Sequence, residues 1–132
     1  MNDIENSENG GIDLRSCWQR PDSQIHADAV AFWASQQLLP EDVDPLMRAK
    51  ELIAVAYSGD RLVGVTTGVV GPLAQLRRDF VFLRCSVDAN ARRSGIAYQL
   101  TDHAIQALAG WAHTDPGNQV AGVAAIVESP EH

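Results

Sequence analysis

Five runs of the chain are rich in apolar and β-branched residues and have the length of β-strands. They are Ile12–Trp18, Leu52–Tyr57, Arg61–Val70, Phe80–Val87 and Val120–Val127. Ser58-Gly59-Asp60 supplies turn residues between the second and third runs, which predicts a β-hairpin. Gly71-Pro72 is predicted to end this hairpin, because glycine and proline commonly interrupt strands.

Two other stretches place apolar residues at the spacing of an amphipathic helix. The first follows Asp22 or Ser23, either of which can cap a helix, and ends before Pro40. Its apolar positions are Ile25, Ala29, Phe32 and Trp33. The second stretch has its apolar positions at Ile96, Leu100, Ala104, Leu108 and Trp111. A further short helix over Pro45–Lys50 is only weakly patterned.

The order of these elements, β-α-(α)-β-β-β-α-β without an internal repeat, predicts an α/β fold. The strand–helix–strand unit from Phe80 to Val127 should place its two strands parallel, by a right-handed crossover. We expect a single domain over residues 12–132. Residues 1–11 are acidic and Asn/Gly-rich without an apolar stretch, which predicts a flexible tail rather than a signal peptide.

The segment Arg92-Arg93-Ser94-Gly95-Ile96-Ala97, between the fourth strand and the second long helix, has the features of an anion site. The first N–H groups of a helix have no intrahelical acceptor, and the helix dipole is positive at that end. Arginine side chains add donors suited to phosphate. One alternative is an ordinary strand-to-helix turn with Ser94 as the cap. Another is an unrelated α/β domain that holds a different phosphate on this loop.

This arrangement resembles the GCN5-related N-acetyltransferase (GNAT) family. The acyl-CoA signature of that family is Gln or Arg, two variable residues, Gly, one variable residue, then Gly or Ala. Arg92, Gly95 and Ala97 fill those positions, and Val87 precedes them at the usual spacing. The resemblance covers roughly Ile12 to Glu128 and implies a mixed, mostly antiparallel sheet with a parallel strand–helix–strand unit that binds acyl-CoA.

The resemblance also implies the chemistry: an acetyl group passes from acetyl-CoA to an amine of a small molecule or a protein. The pantetheine arm of CoA would contact the backbone of Cys85 and Val87. The pyrophosphate would bind at the loop, at Arg92, Arg93, Ser94, Gly95, Ile96 and Ala97. A backbone N–H of the strand could polarise the thioester carbonyl.

The family pattern normally continues with another helix and two strands, whereas this sequence stops at His132. That segment usually lines the acceptor pocket and often carries a tyrosine that protonates the departing thiolate. We therefore expect that a homodimer covers the C-terminal edge of the sheet, or that the protein is a short family member that lacks the last strands. The alternative function is a non-catalytic acyl-CoA-binding or interaction module with a degenerate acceptor site.

No catalytic residue can be assigned from the sequence. Glu128 follows the last strand and could act as a base, although a solvated carboxylate is the simpler interpretation. Cys85 could be a nucleophile, but it has no histidine in local register, which favours a core thiol. Tyr98 falls in the first turn of the helix, nearer the phosphates than the thioester. Asp102 and His103 fall on different helix faces and are expected at the surface.

Charge is distributed unevenly along the chain. The net charge of −7 argues against nucleic acid as a partner. Yet half of the basic residues fall within residues 77–93: Arg77, Arg78, Arg84, Arg92 and Arg93. A basic island in an acidic protein is suited to attract a compact polyanion such as CoA. The acidic remainder favours a cationic acceptor, for example a polyamine, an aminoglycoside or a lysine side chain.

Cysteine and histidine spacing predicts no metal site. Cys17 and Cys85 each lie in an apolar run and are expected to be buried free thiols, consistent with a reducing cytoplasm. No apolar run approaches the length of a membrane span, so we expect a cytoplasmic protein without membrane contact.

Overall fold

A computed structural model describes residues 11–20, 22–73, 78–114 and 120–126. The strands are β1 (Ile12–Ser16), β2 (Leu52–Ser58), β3 (Arg61–Leu73), β4 (Arg78–Val87) and β5 (Val120–Ile126). The helices are α1 (Ser23–Gln36), α2 (Pro45–Ala49) and α3 (Ile96–Thr114), and a 3-10 segment spans Ala89–Ser94. The predicted order of elements is therefore confirmed. Of the predicted tail, only Gly11 is within the described residues.

The strands form one sheet in the order β1-β2-β3-β4-β5. Neighbouring strands from β1 to β4 are antiparallel, and β4 pairs with β5 in parallel. Because α3 connects the two parallel strands, it must cross from one end of the sheet to the other. This mixed, mostly antiparallel sheet with a parallel strand–helix–strand unit is the predicted fold class.

The β3–β4 pair extends further than the sequence predicts. β3 continues through Gly71-Pro72 to Leu73, and Pro72 is paired with Asp79. Proline is tolerated where its missing N–H would not enter a ladder. Two features satisfy that condition: the β2–β3 pairing ends at Thr67, and the alternation of the β3–β4 ladder turns the Pro72 nitrogen away from β4. The prediction that Gly71-Pro72 ends the strand was wrong for this reason.

Apolar side chains are buried on both faces of the sheet. On one face α3 contributes Ile96, Leu100, Ala104 and Leu108, each 4% exposed or less. The strands meet this helix with a set that includes Ile53, Ala56, Val63, Val81, Leu83 and Val87. On the other face α1 buries Ile25, Ala29, Phe32 and Trp33 against a set that includes Val55, Tyr57 and Val65. Both predicted helical stripes are thus confirmed as core positions except at Trp111, which is only partly buried against the same core.

Capping residues fix the ends of α1 and α2. The Asp22 carboxylate accepts a hydrogen bond from the Ile25 N–H at 3.0 Å, which selects Asp22 over Ser23 as the cap. Gln37 adopts the left-handed conformation (φ 54°) and ends α1. Asp44 caps α2, with Pro45 at its first position. The weakly patterned helix over Pro45–Lys50 is therefore real, and its last helical residue is Ala49.

Gly68 allows β3 to pack closely against its neighbours. A Cβ added at this position would lie 2.7 Å from Ile53 Cδ1 and 2.8 Å from Val81 Cγ1. The Gly68 N–H also donates to the Glu51 carbonyl at 2.8 Å, just after α2. Glycine here therefore brings the end of α2 and the centre of the sheet into contact.

Candidate functional site

β4 is described further along than its parallel neighbour β5. The β4–β5 ladder is described from Asp79 and Val120 to Arg84 and Ile126. β4 continues to Val87, still paired with β3. Within the described part of the chain, residues 85–87 are therefore placed mainly by β3.

The backbone groups of Cys85 and Val87 face the β5 side of β4. The Asp88 N–H donates to the Val63 carbonyl of β3 at 2.8 Å. Backbone groups alternate in direction along a strand, so those of Ser86 also face β3 and those of Cys85 and Val87 face outward. The N–H and carbonyl groups of both residues are therefore directed to the outer edge of β4 and not to β3.

The chain leads from this edge into the 3-10 segment Ala89–Ser94 and then to the start of α3. Gly95 precedes the helix with φ 85°, a left-handed conformation that favours glycine. Gly95 is exposed, and a Cβ added to it would meet nothing within 4 Å. Gly95, and not Ser94, is therefore the residue that immediately precedes α3.

The first turn of α3 leaves N–H groups for a ligand. Its first helical hydrogen bond runs from the Gln99 N–H to the Gly95 carbonyl at 3.1 Å. The N–H groups of Ile96, Ala97 and Tyr98 precede that bond and have no intrahelical acceptor. The Ile96 side chain is buried under α3, whereas Ala97 and Tyr98 are exposed. This packing fixes the turn while keeping its outer surface open to an anion.

The predicted site residues are therefore brought to one corner of the molecule. Cys85 and Val87 end β4, and Gly95, Ile96 and Ala97 begin α3. The backbone of Arg92, Arg93 and Ser94 forms the end of the 3-10 segment between them. The side chains of these last three residues lie outside the described part, so their contribution stays a prediction.

Asp88 organises the entry to this corner, and the sequence reasoning missed it. The residue is 4% exposed. Its carboxylate accepts from the Asn90 N–H at 2.8 Å and from Gln36 Nε2 at 3.2 Å, and Arg61 Nη1 lies 3.5 Å away. The Asn90 contact is a local turn that an Asp two residues earlier could have suggested. Gln36 is 52 residues away along the chain, and no local pattern indicates that contact.

The Cys85 side chain lies on the α3 face of the sheet and not at the outer edge of β4. It packs beside the core on the α3 face, where its thiol is hydrogen-bonded with Thr101. Burial raises the pKa of the Cys85 thiol, and the Thr101 contact offsets this only in part. Burial likewise raises the pKa of Cys17 to about 11. Neither environment generates the thiolate that an acyl-enzyme mechanism requires.

We expect both cysteines to resist thiol reagents in the folded protein near pH 8. Raised pKa values keep both thiols protonated, and reagents have little access because Cys17 is buried and Cys85 is partly buried. Labelling with an aromatic disulfide reagent should therefore modify both thiols only after denaturant is added. Fast labelling of Cys85 in the native protein would contradict the assignment of this residue to the core.

The other candidate catalytic groups do not lie together beside the end of β4. Tyr98 is 79% exposed in the first turn of α3. Asp102 accepts a hydrogen bond from Gln106 at 2.8 Å on the helix surface. His103 Nε2 lies 2.9 Å from Ser16 Oγ of β1, the strand at the opposite edge from β5. Glu128 lies outside the described residues.

Two kinds of feature are absent from the described ranges. No group of three or more His, Cys, Asp or Glu side chains could hold a metal ion in this part of the chain. None of the helices there combines the length and the hydropathy needed to cross a bilayer.

Solved structures with the same fold include acetyltransferases. An aminoglycoside acetyltransferase from an uncultured soil metagenomic sample, solved with sisomicin, has a TM-score of 0.62 at 15% identity, over 92% of this chain and 80% of its own. An aminoglycoside N-acetyltransferase solved with CoA has a TM-score of 0.62 at 18% identity, over 91% and 78%. A ribosomal-protein-alanine N-acetyltransferase from Brucella melitensis has a TM-score of 0.54 at 19% identity, over 91% and 83%. At these identities the likeness establishes the fold.

The search of curated proteins finds no match. The model of the acetyltransferase (GNAT) family, in contrast, matches residues 13–127. Apart from Ile12, the first residue of β1, that span contains every strand and helix of the described ranges and the corner between β4 and α3. The chain therefore belongs to the GNAT acetyltransferase family.

Proposed function

We propose that the protein transfers an acetyl group from acetyl-CoA to a primary amine. Family membership supports acyl transfer in general. The observation that carries the proposal is the first turn of α3, which follows the end of β4 within a few residues and whose N–H groups lack intrahelical acceptors. Few other ligands combine an amide-bearing arm with a diphosphate in one molecule.

The two parts of the corner fit the two parts of acetyl-CoA. Pantetheine contains peptide-like amides, which can pair with the outward N–H and carbonyl groups of Cys85 and Val87 as an added strand does. The pyrophosphate fits the start of α3, where the N–H groups of Ile96, Ala97 and Tyr98 lack intrahelical acceptors. Gly95 lets the phosphate approach the backbone closely, because no side chain stands in the way.

The reaction in this proposal is direct transfer. The nitrogen of the neutral amine attacks the thioester carbonyl carbon, and the C–S bond then breaks to release the CoA thiolate. The amine gives up one proton and the thiolate takes up one proton. A backbone N–H of β4 would stabilise the developing oxyanion, which requires no side chain. The shielded thiol of Cys85 argues against a covalent acyl-enzyme intermediate.

For the acceptor we infer a cationic amine. Outside residues 77–93 the chain is strongly acidic, and an acidic surface attracts a positively charged substrate. Aminoglycosides, polyamines and peptides with an N-terminal alanine are the first compounds to test. The aminoglycosides and the alanine peptides correspond to the names of structurally similar enzymes.

A thermal-shift titration followed by a thiol-release assay tests the proposal. CoA and acetyl-CoA should raise the melting temperature, since a ligand at a hundred times its Kd adds about 2.7 kcal/mol of stability. ATP should produce a smaller shift. Acetyl-CoA with the amine panel should then release free thiol with at least one acceptor.

The other outcomes separate the rival functions. Binding of CoA without turnover on any amine would favour a non-catalytic acyl-CoA-binding module. A shift with nucleotides but not with CoA would indicate a different phosphate ligand and would overturn the proposal.

A further inference from the structure

The side chain of Gln36 connects the last turn of α1 to the entry of the proposed CoA site. Its amide nitrogen donates to Asp88 Oδ2 at 3.2 Å, and its amide oxygen accepts from the Ala89 N–H at 3.3 Å. One side-chain amide thus holds both the residue that caps the 3-10 segment and the first residue of that segment. We call this pair of contacts the Gln36–Asp88 bridge.

The N–H, the carbonyl and both carboxylate oxygens of Asp88 all form hydrogen bonds. Its N–H donates to Val63, and its carbonyl accepts from the Ala91 N–H at 2.9 Å. One carboxylate oxygen accepts from the Asn90 N–H, and the other accepts from Gln36. The contact with Arg61 is long and 64% of that side chain is exposed, so it contributes little. The direction of the 3-10 segment is therefore set mainly by the Asn90 and Gln36 contacts.

We propose that Gln36 and Asp88 are positioning residues for acyl-CoA. This inference rests on the function proposed above and adds two residues to it. The bridge fixes where the 3-10 segment leaves β4, and hence the distance from the backbone of Cys85 and Val87 to the first turn of α3. A ligand that binds both places at once needs that distance to be constant, because misplacement of one half costs the contacts of the other.

The bridge also links the two sides of the sheet. Gln36 ends α1, which packs on one face, while the 3-10 segment leads into α3 on the other. Gln37 follows in the left-handed conformation and starts the connection to α2. A displacement of α1 would therefore be transmitted to the start of α3 through a single side-chain amide.

Exchanging the side-chain amide of Gln36 with the carboxylate of Asp88 tests the proposal. Gln36→Ala removes both contacts, and Asp88→Asn places two NH2 groups against each other. Each should weaken CoA binding roughly tenfold, the size expected for one or two lost hydrogen bonds at a buried group. In the double variant Asp88→Asn/Gln36→Glu, the new amide can donate to the new carboxylate. That carboxylate can still accept from the Ala89 N–H, so affinity should return to within about threefold of the wild type.

The readouts are the Kd for CoA by calorimetry and the hydrogen exchange of the Ala89 and Asn90 amides. Exchange should be faster in the single variants and close to wild type in the double variant. Gln24→Ala is the matched control, since Gln24 also donates from Nε2 to an aspartate, Asp28, but at the exposed start of α1. This control should leave both readouts unchanged.

The outcomes distinguish this inference from the function on which it rests. If the wild type binds CoA and the single variants bind it equally well, the bridge has no positioning role while the proposed function stands. The same conclusion follows if the double variant binds as weakly as the single variants. If the wild type does not bind CoA at all, both proposals are overturned.

Discussion

Replacing Gly95 by aspartate is expected to abolish CoA binding while the fold is retained. The residue lies at the start of α3, where a bound pyrophosphate would contact the backbone. A carboxylate there would face the diphosphate directly, and juxtaposed like charges cost several kcal/mol, which corresponds to a loss of at least about a hundredfold in affinity. The new side chain has room, because an added Cβ would meet nothing within 4 Å. Calorimetry with CoA gives the affinity, and the melting temperature without ligand reports on the fold.

Gly95→Asn is the matched control for this experiment. Asparagine has the same shape as aspartate, and both residues tolerate the left-handed conformation better than most. The two variants should therefore unfold at similar temperatures, and the asparagine variant should bind CoA measurably more tightly. Equal affinities for CoA in the aspartate variant and the wild type would remove the start of α3 from the proposed site.

Replacing Leu100 by alanine is expected to cause a large loss of stability. The side chain is fully buried between α3 and the sheet, and its Cδ2 atom would lie 3.0 Å from a Cβ added at Gly64 of β3. Removing a buried leucine side chain costs the transfer free energy of the lost atoms and leaves a cavity, together about 2–5 kcal/mol. Urea denaturation of the pure protein measures this change as a lower midpoint.

Ile105→Ala on the same helix is the comparison for Leu100→Ala. Ile105 is 42% exposed, and alanine has the higher helix propensity, so we expect a loss below about 1 kcal/mol. A similar loss in both variants would show that α3 does not pack on the sheet through Leu100.

The order of elements could be predicted because it depends on local periodicity. The apolar stripe from Ile96 to Leu108 repeats at helical spacing, and every member of that stripe is buried. The hairpin between β2 and β3 follows from Ser58-Gly59-Asp60, and Gly59 adopts the positive φ that the turn requires. These features need only the neighbouring residues to be defined.

The geometry of the candidate site could be predicted only in part. Arg92, Gly95 and Ala97 identify the loop by their spacing. The direction of the backbone groups of Cys85 and Val87 depends on the register between β3 and β4, and the sequence of β4 alone does not define that register. The Gln36 contact to Asp88 joins two distant parts of the chain. Pro72 misled the prediction because its effect depends on whether a neighbouring strand needs its N–H.

The groups that Cys85 and Val87 direct away from β3 are peptide groups, and every residue other than proline carries the same ones. Substitutions at Cys85 or Val87 change what packs beneath α3 but not the pattern of backbone donors and acceptors along the outer edge of β4. An edge built in this way can accumulate side-chain replacements over evolutionary time without altering what it recognises. Proline is the exception, because it would delete a donor. Selection at these two positions should therefore act on volume and on the exclusion of proline.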